Sequence, residues 1–97
     1  MAETIDELTI SYTDGGIETV KELDKVILSR GAWTTILFRY QDWERAKETY
    51  GPEKYSIRRY QKRNGQYQLQ SKFNISSRAQ AQSLITALQQ WVEESEG

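Results

Sequence analysis

Hydrophobic and polar residues alternate along most of the chain and change to a helical spacing only near its end. Ser77 and Gln80 fit a capping box, the pattern that often begins a helix. After them, apolar residues recur at helical spacing, at Ala81, Leu84, Ile85, Leu88, Trp91 and Val92. This stripe predicts one C-terminal amphipathic helix over about residues 77–92.

The alternating part of the sequence predicts four to five antiparallel strands before that helix. Two apolar runs, 25–29 and 33–43, indicate adjacent strands that are joined by a turn at Arg30 and Gly31. The stretch "LTISYTDGGIETVKEL" indicates a strand, a turn and a second extended or helical piece. Because the helical stripe needs an apolar partner, the predicted fold is α+β, an antiparallel sheet packed against one C-terminal helix.

Asn64 and Gly65 lie between two alternating runs and predict a β-hairpin. A three-residue loop over 63–65, with Gly65 in the left-handed conformation, is favoured over a two-residue turn because it separates apolar from polar side chains. The face toward the helix would carry Tyr55, Ile57, Tyr67, Leu69 and Phe73. The outward face would carry Ser56, Arg58, Tyr60, Lys62, Gln66, Gln68, Gln70 and Lys72.

Charge is strongly segregated along the chain, although the net charge is only −1. Residues 1–24 carry a net charge of −6, residues 25–78 carry +8 and residues 79–97 carry −3. We therefore expect an acidic N-terminal segment over 1–24, partly flexible or added to the sheet as a strand, and one sheet-plus-helix domain over 25–97. We also expect the acidic segment to compete with nucleic acid for the basic face.

The composition argues against an enzyme. The chain contains neither Cys nor His. It therefore has no thiolate, and it lacks imidazole, the commonest metal ligand. The acidic and basic side chains of "DWERAKE" indicate no general acid and base pair. We expect no catalytic site, no metal and no cofactor. Without a long apolar run or a basic leader, we expect no membrane association and a cytoplasmic protein, with the nucleoid or nucleus as alternatives.

The outward hairpin face combines cations, aromatic rings and Gln amides, a combination that suits single-stranded nucleic acid. Phosphates attract Lys and Arg, unpaired bases stack on aromatic rings, and amides contact base edges without demanding one sequence. The candidate binding residues are Arg39, Trp43, Arg58, Tyr60, Lys62, Gln68 and Lys72. The odd positions of the neighbouring strand, which include Arg39, Gln41 and Trp43, are expected to extend the surface of Arg58.

Two alternatives remain open for this surface. It could dock an acidic protein partner as an interaction or assembly module, or it could only keep the sheet soluble and blunt its edges. The outer side of the helix is rich in Gln and could be solvated or contact a second subunit, so we also expect a homodimer through the C-terminal helix.

Four stretches in this order resemble the positive cofactor four family of single-stranded-DNA-binding transcriptional coactivators. They are "KVILSR", "TTILFRYQDW", "KYSIRRYQKRNGQYQLQSKFNIS" and "SRAQAQSLITALQQWV", which together span Lys25 to Val92. The resemblance implies a curved antiparallel sheet, dimerisation through the helices and a cofactor role in transcription or DNA metabolism. It also implies single strands lying across Arg39, Trp43, Arg58, Tyr60, Lys62 and Lys72.

Overall fold

The computed structural model describes residues 3–95, which form a six-stranded antiparallel sheet followed by one helix. After a single 3-10 turn at Ile5–Glu7, the elements are β1 (Tyr12–Asp14), β2 (Ile17–Ser29), β3 (Trp33–Glu44), β4 (Thr49–Tyr50), β5 (Lys54–Arg63), β6 (Gln66–Ile75) and α1 (Arg78–Glu94). The strand order is β1-β2-β3-β5-β6, and β4 pairs with the end of β3. The predicted α+β class is confirmed.

The two sides of the sheet differ in what covers them. Along β3 the even positions from 34 to 40 are buried, whereas the odd positions are half-buried or exposed. We call the side that carries Phe38 the N-terminal side, because residues 5–10 pack across it, and the side that carries Leu37 the helix side, because α1 lies over it. The core lies on the N-terminal side and consists of Leu8, Ile10, Ile36, Phe38, Tyr40, Tyr60 and Tyr67.

The N-terminal segment is held in place by both packing and hydrogen bonds. Leu8 is only 6% exposed, and the Lys25 ammonium donates to the carbonyl oxygens of Leu8 at 2.7 Å and Asp6 at 3.0 Å. The Ser11 hydroxyl accepts a hydrogen bond from the Glu22 backbone N–H at 3.0 Å. Because β2 runs without interruption from residue 17 to residue 29, the boundary expected after residue 24 falls inside a strand.

The β5–β6 hairpin has a different register from the predicted one. Arg63 pairs with Gln66, so the loop contains only Asn64 and Gly65, whose φ angles of 52° and 78° are those of a type I′ turn. Between the pairs Arg59–Ser71 and Tyr60–Leu69, β6 holds one extra residue, Gln70. This bulge reverses the side-chain alternation of β6. The predicted three-residue loop is therefore wrong: Tyr67 and Leu69 share a side with Tyr60, whereas Phe73 remains on the side of Ile57.

The C-terminal helix begins as predicted. The Ser77 hydroxyl accepts from the Gln80 backbone N–H at 3.1 Å, and the Gln80 side chain accepts from the Ser76 N–H at 2.9 Å. Its apolar stripe faces the sheet as predicted, where Leu84 and Leu88 approach Leu37 and Ile57, but the contact is incomplete, because Trp91 is 66% exposed and Phe73 is 55% exposed. The fully buried side chains Ile36 and Phe38 point to the N-terminal side, so the most deeply buried part of the molecule does not lie under α1.

Candidate nucleic-acid interface

The hairpin formed by β5 and β6 concentrates positive charge that is not neutralised within residues 3–95. Apart from Lys54, at the start of β5, its cations make no salt bridge there; they are Arg58, Arg59, Lys62, Arg63 and Lys72. The salt bridges lie away from the hairpin loop: Arg39 pairs with Asp24 at 3.8 Å and with Glu53 at 3.5 Å, and Lys54 pairs with Asp42 at 3.0 Å. The hairpin thus presents cationic groups whose charge is available to an anionic ligand.

On the helix side, an indole and a guanidinium stack on each other near the hairpin loop. Strand register brings Arg59 opposite Thr35 and Gln61 opposite Trp33, because β5 runs antiparallel to β3. The guanidinium carbon of Arg59 lies 4.4 Å from the centroid of the Trp33 ring, and the Trp33 residue is 41% exposed. This is a cation–π contact at the surface, and it holds two planar groups side by side.

Polar groups of neighbouring strands extend this pair into a larger surface. Gln61 pairs with Gln68 of β6, and its side-chain oxygen accepts a hydrogen bond from Nε of Arg63 at 3.0 Å. We define the Trp33 patch as Trp33, Arg59, Gln61, Arg63 and Gln68. It joins an aromatic ring, two guanidinium groups and two amides, and these groups can stack with bases, bind phosphates and contact base edges.

The N-terminal side of the hairpin carries a second set of cations, Arg58, Lys62 and Lys72, around a tyrosine that is not accessible. Tyr60 is only 4% exposed. Its burial raises the pKa of the phenolic hydroxyl above the ordinary value, and the neighbouring Arg58 guanidinium partly offsets this rise. The prediction of Tyr60 on an outward face is therefore wrong, because residues 5–10 close over the core to which Tyr60 belongs.

Arg58 and Lys62 differ in their surroundings. Nε of Arg58 is buried and has no hydrogen-bond partner among the described residues. The Lys62 ammonium lies 5.4 Å from the centroid of the Tyr67 ring, at the margin of the core. Lys72 pairs with Arg58 across the two strands, so like charges stand opposite each other. Such a pair is unfavourable unless an anion lies nearby.

Arg39 and Trp43 belong neither to the Trp33 patch nor to the set of cations around Tyr60. Both lie on the helix side, at the end of β3 that is remote from the hairpin loop. Arg39 is engaged in its two salt bridges, and Trp43 packs edge-on against Tyr50 with the ring centroids 5.1 Å apart. The expectation that they extend the surface of Arg58 is wrong, because Arg58 pairs with Ile36 and shares the opposite side with the even positions of β3.

The sequence reasoning thus grouped residues that the structure separates. Gln68 belongs to the Trp33 patch, whereas Arg58, Tyr60, Lys62 and Lys72 lie on the other side of the sheet. It missed Trp33, Arg59, Gln61 and Arg63 as members of one surface. The available signal was the Asn-Gly pair, since such a pair favours a two-residue type I′ loop that places Arg59, Gln61 and Arg63 on one side with Gln68.

Within residues 3–95, acidic side chains nowhere form a group of three that could hold a metal ion. Of the helices in this range, none has the length and apolar character needed to cross a membrane. No family model, curated protein or solved structure matches the chain. The resemblance to the positive cofactor four family therefore stays a prediction from the sequence.

Proposed function

We propose that this protein binds single-stranded nucleic acid through the Trp33 patch and catalyses no reaction. The observation that carries the proposal is the exposed contact between Trp33 and Arg59, beside the loop of a hairpin whose cations, apart from Lys54, have no acidic partner within residues 3–95. Exposed aromatic rings beside unneutralised cations are the combination found in surfaces that hold single strands.

Each group of the patch has a role in such a complex. The Arg59 and Arg63 guanidinium groups would bind phosphates and release counterions from the strand. An unpaired base would stack on the indole of Trp33 or on the guanidinium plane of Arg59. Each stacked base would contribute about 1–3 kcal/mol to the free energy of binding. The amides of Gln61 and Gln68 would contact base edges, and because an amide both donates and accepts, they would show little preference for one base.

This set of contacts favours a single strand over a duplex. In a duplex the faces of the bases are already stacked on each other, so Trp33 could not reach them without unstacking. The preference for DNA over RNA, and a role as a cofactor in transcription or DNA metabolism, rest on the resemblance of the sequence to the positive cofactor four family. Such a protein would act in the cytoplasm, nucleoid or nucleus, where single strands are exposed.

An acidic protein partner is the second candidate, because hairpin cations without partners attract carboxylates as well as phosphates. The two candidates differ in what they require of Trp33. A stacked base needs the ring, whereas an acidic surface needs only the charges. Loss of binding on replacement of the ring would therefore favour nucleic acid.

The direct test is a fluorescence-anisotropy titration of a labelled oligo(dT) of about 20 nucleotides, a length that exceeds the site of one small binding domain. It should be run at two salt concentrations, with an unlabelled duplex of equal length and unlabelled oligo(U) as competitors. We expect micromolar or tighter binding that weakens with salt, resists the duplex and yields only partly to the RNA. No binding at low salt would overturn the proposal.

A further inference from the structure

The outer edge of β2 is open over the second half of the strand. β1 pairs with β2 only between residues 17 and 20. Over residues 21–29, the one strand that pairs with β2 among residues 3–95 is β3, on the inner side. The Ser11 hydroxyl accepts from the Glu22 backbone N–H, so the open stretch begins after Glu22. An open edge of this kind is a template on which another strand can pair.

Two bulges limit the open stretch to a few residues. Leu23 and Leu28 are extra residues relative to β3, and residues 24–27 between them pair with β3 in regular register. We call residues 24–27 the β2 edge. The backbone N–H of Lys25 donates to the Asp24 carboxylate at 2.8 Å, so a side chain of the strand itself occupies this donor. Bulges and such a carboxylate restrict the edge to a short, matching partner.

The last turn of α1 reaches beyond β2. The helix starts beside β6, and the groove beneath it, of about 400 Å³, is lined by Ile75 of β6 and by Leu28 of β2, so α1 crosses the sheet toward β2. Leu88 still lines this groove. Trp91 follows about 4.5 Å further along the helix axis, and neighbouring strands are about 4.8 Å apart. Trp91 therefore lies over the position that a strand added to the β2 edge would take.

Hydrophobic side chains around this position are exposed on both the sheet and the helix. Val26 and Leu28 of β2 are 53% and 55% exposed, and Trp91 and Val92 of α1 are exposed to a still larger extent. An added strand would place the side chains of one face beside Val26 and beneath Trp91. Apolar residues at alternate positions of that strand would remove these side chains from water, which is favourable.

The charges along the β2 edge are mainly acidic. The Asp24 side chain is 64% exposed and touches Arg39 only at 3.8 Å. α1 ends in Glu93 and Glu94, whose carboxylates accept hydrogen bonds from Gln89 and Gln90 and form no salt bridge within residues 3–95. These carboxylates are complementary to a strand that carries Lys or Arg between its apolar residues.

We propose that the β2 edge binds an extended basic segment of another protein by β-strand addition. Apolar residues of the segment pack beneath Trp91, and its cations pair with the carboxylates of Asp24, Glu93 and Glu94. A two-fold contact between two β2 edges would instead bring these carboxylates together, which is unfavourable. The Trp33 patch lies on β3, β5 and β6, so it stays accessible, and the inference does not depend on nucleic-acid binding.

The test uses the full chain and a synthetic peptide of about eight residues, an ordinary strand length, in which Val and Lys alternate. One control peptide has Glu in place of Lys, and a second has N-methylated backbone amides, which cannot donate to a strand. We expect calorimetry to show saturable binding of the Val-Lys peptide alone. Hydrogen exchange at residues 24–27 should become slower when this peptide is bound.

Variants of the chain locate the peptide. Trp91→Ala should weaken the binding of the Val-Lys peptide about tenfold, as for an aromatic residue at the centre of an interface. Asp24→Asn keeps an acceptor for the Lys25 N–H and should weaken binding about threefold through the loss of charge. Gln90→Ala is the matched control and should have no effect, because Gln90 lines the opposite face of α1.

Several results would overturn the proposal. They are a Val-Lys peptide that does not bind, binding of either control peptide with the same affinity, unchanged hydrogen exchange at residues 24–27, and an equal loss in the Gln90 variant. Sedimentation equilibrium of the chain without peptide gives a further check. A dimer that Trp91→Ala abolishes would assign this surface to a second copy and would also overturn the proposal.

Discussion

The Arg59 guanidinium lies 4.4 Å from the centre of the Trp33 ring, and the two residues come from neighbouring strands, β5 and β3. Register alone brings them together, because Arg59 pairs with Thr35 and Gln61 pairs with Trp33. The contact fixes an aromatic plane and a cation at the surface of a rigid sheet. A site built on strands holds such groups more accurately than a loop does.

The ring of Trp33 is expected to contribute directly to binding. Replacement Trp33→Leu should weaken the binding of oligo(dT) by about tenfold, which corresponds to the loss of roughly one stacked base. Trp43→Leu is the control, because Trp43 packs against Tyr50 at the other end of β3. Both affinities can be measured by fluorescence anisotropy. Equal losses in the two variants would mean that the site is not at Trp33.

Arg59 and Arg39 should differ in their effect on the salt dependence of nucleic-acid binding. Arg59→Gln should lower the slope of log affinity against log salt by about 0.7, the value for one phosphate contact with a single strand. Arg39→Gln should leave the slope unchanged, because Arg39 is already paired with Asp24 and Glu53. Titrations at four or five salt concentrations give both slopes. A larger change for Arg39 than for Arg59 would place the strand on another part of the sheet.

Alkaline pH should destabilise the fold. Burial raises the pKa of Tyr60 and of Tyr40 above the ordinary value of 10.0, and the hydrogen bond to Asp42 raises the pKa of Lys54. The native state therefore holds these protons more tightly than the unfolded chain. Their contribution to stability is complete below the pKa values of the unfolded chain and is lost as the pH rises through the native values.

Urea unfolding at a series of pH values from about 8 to about 11, a range that includes the ordinary tyrosine pKa, measures this loss. We expect the free energy of unfolding to fall as the pH rises. Tyr60→Phe should make this fall smaller, and the part that remains should come from Tyr40 and Lys54. A free energy of unfolding that rises over the same range would contradict the burial of these tyrosines.

The N-terminal segment should be part of the stable core. Leu8→Ala removes a side chain that is 6% exposed and should cost about 2–4 kcal/mol of unfolding free energy. Leu69→Ala, at a residue that is 44% exposed, should cost less than half as much. Urea denaturation of the two variants supplies the comparison. A near-zero effect of Leu8→Ala would show that residues 5–10 do not cover the sheet.

The helix and the central strands could be predicted from the sequence, because their signals are local. Ser77 with Gln80 indicates where α1 begins, and the apolar runs around Ile27 and Leu37 indicate β2 and β3. These elements form as expected, although β2 begins at Ile17.

Which side chains lie on each side of the sheet, and which side is covered, could not be predicted. Both depend on one extra residue in β6 and on a segment that is far away in sequence. The bulge at Gln70 reverses the alternation of β6, so without it the two-residue loop would mix apolar and polar residues, and the incorrect three-residue loop would separate them. Leu8 and Ile10 lie in a stretch that predicts a strand, but they precede β1 and instead pack in the core that contains Tyr60. This cover removes Tyr60 from the candidate site and leaves Trp33 as an exposed aromatic residue near the hairpin loop.

The fluorescence of Trp33 tests the central claim most directly. In the double variant Trp43→Phe and Trp91→Phe, Trp33 is the only tryptophan of the chain, so unlabelled oligo(dT) can be titrated while its emission is followed. We predict saturable quenching that high salt reverses and that a duplex of equal length does not reproduce. Emission that stays unchanged at concentrations where a labelled strand is bound, or the absence of binding at low salt, would contradict the account.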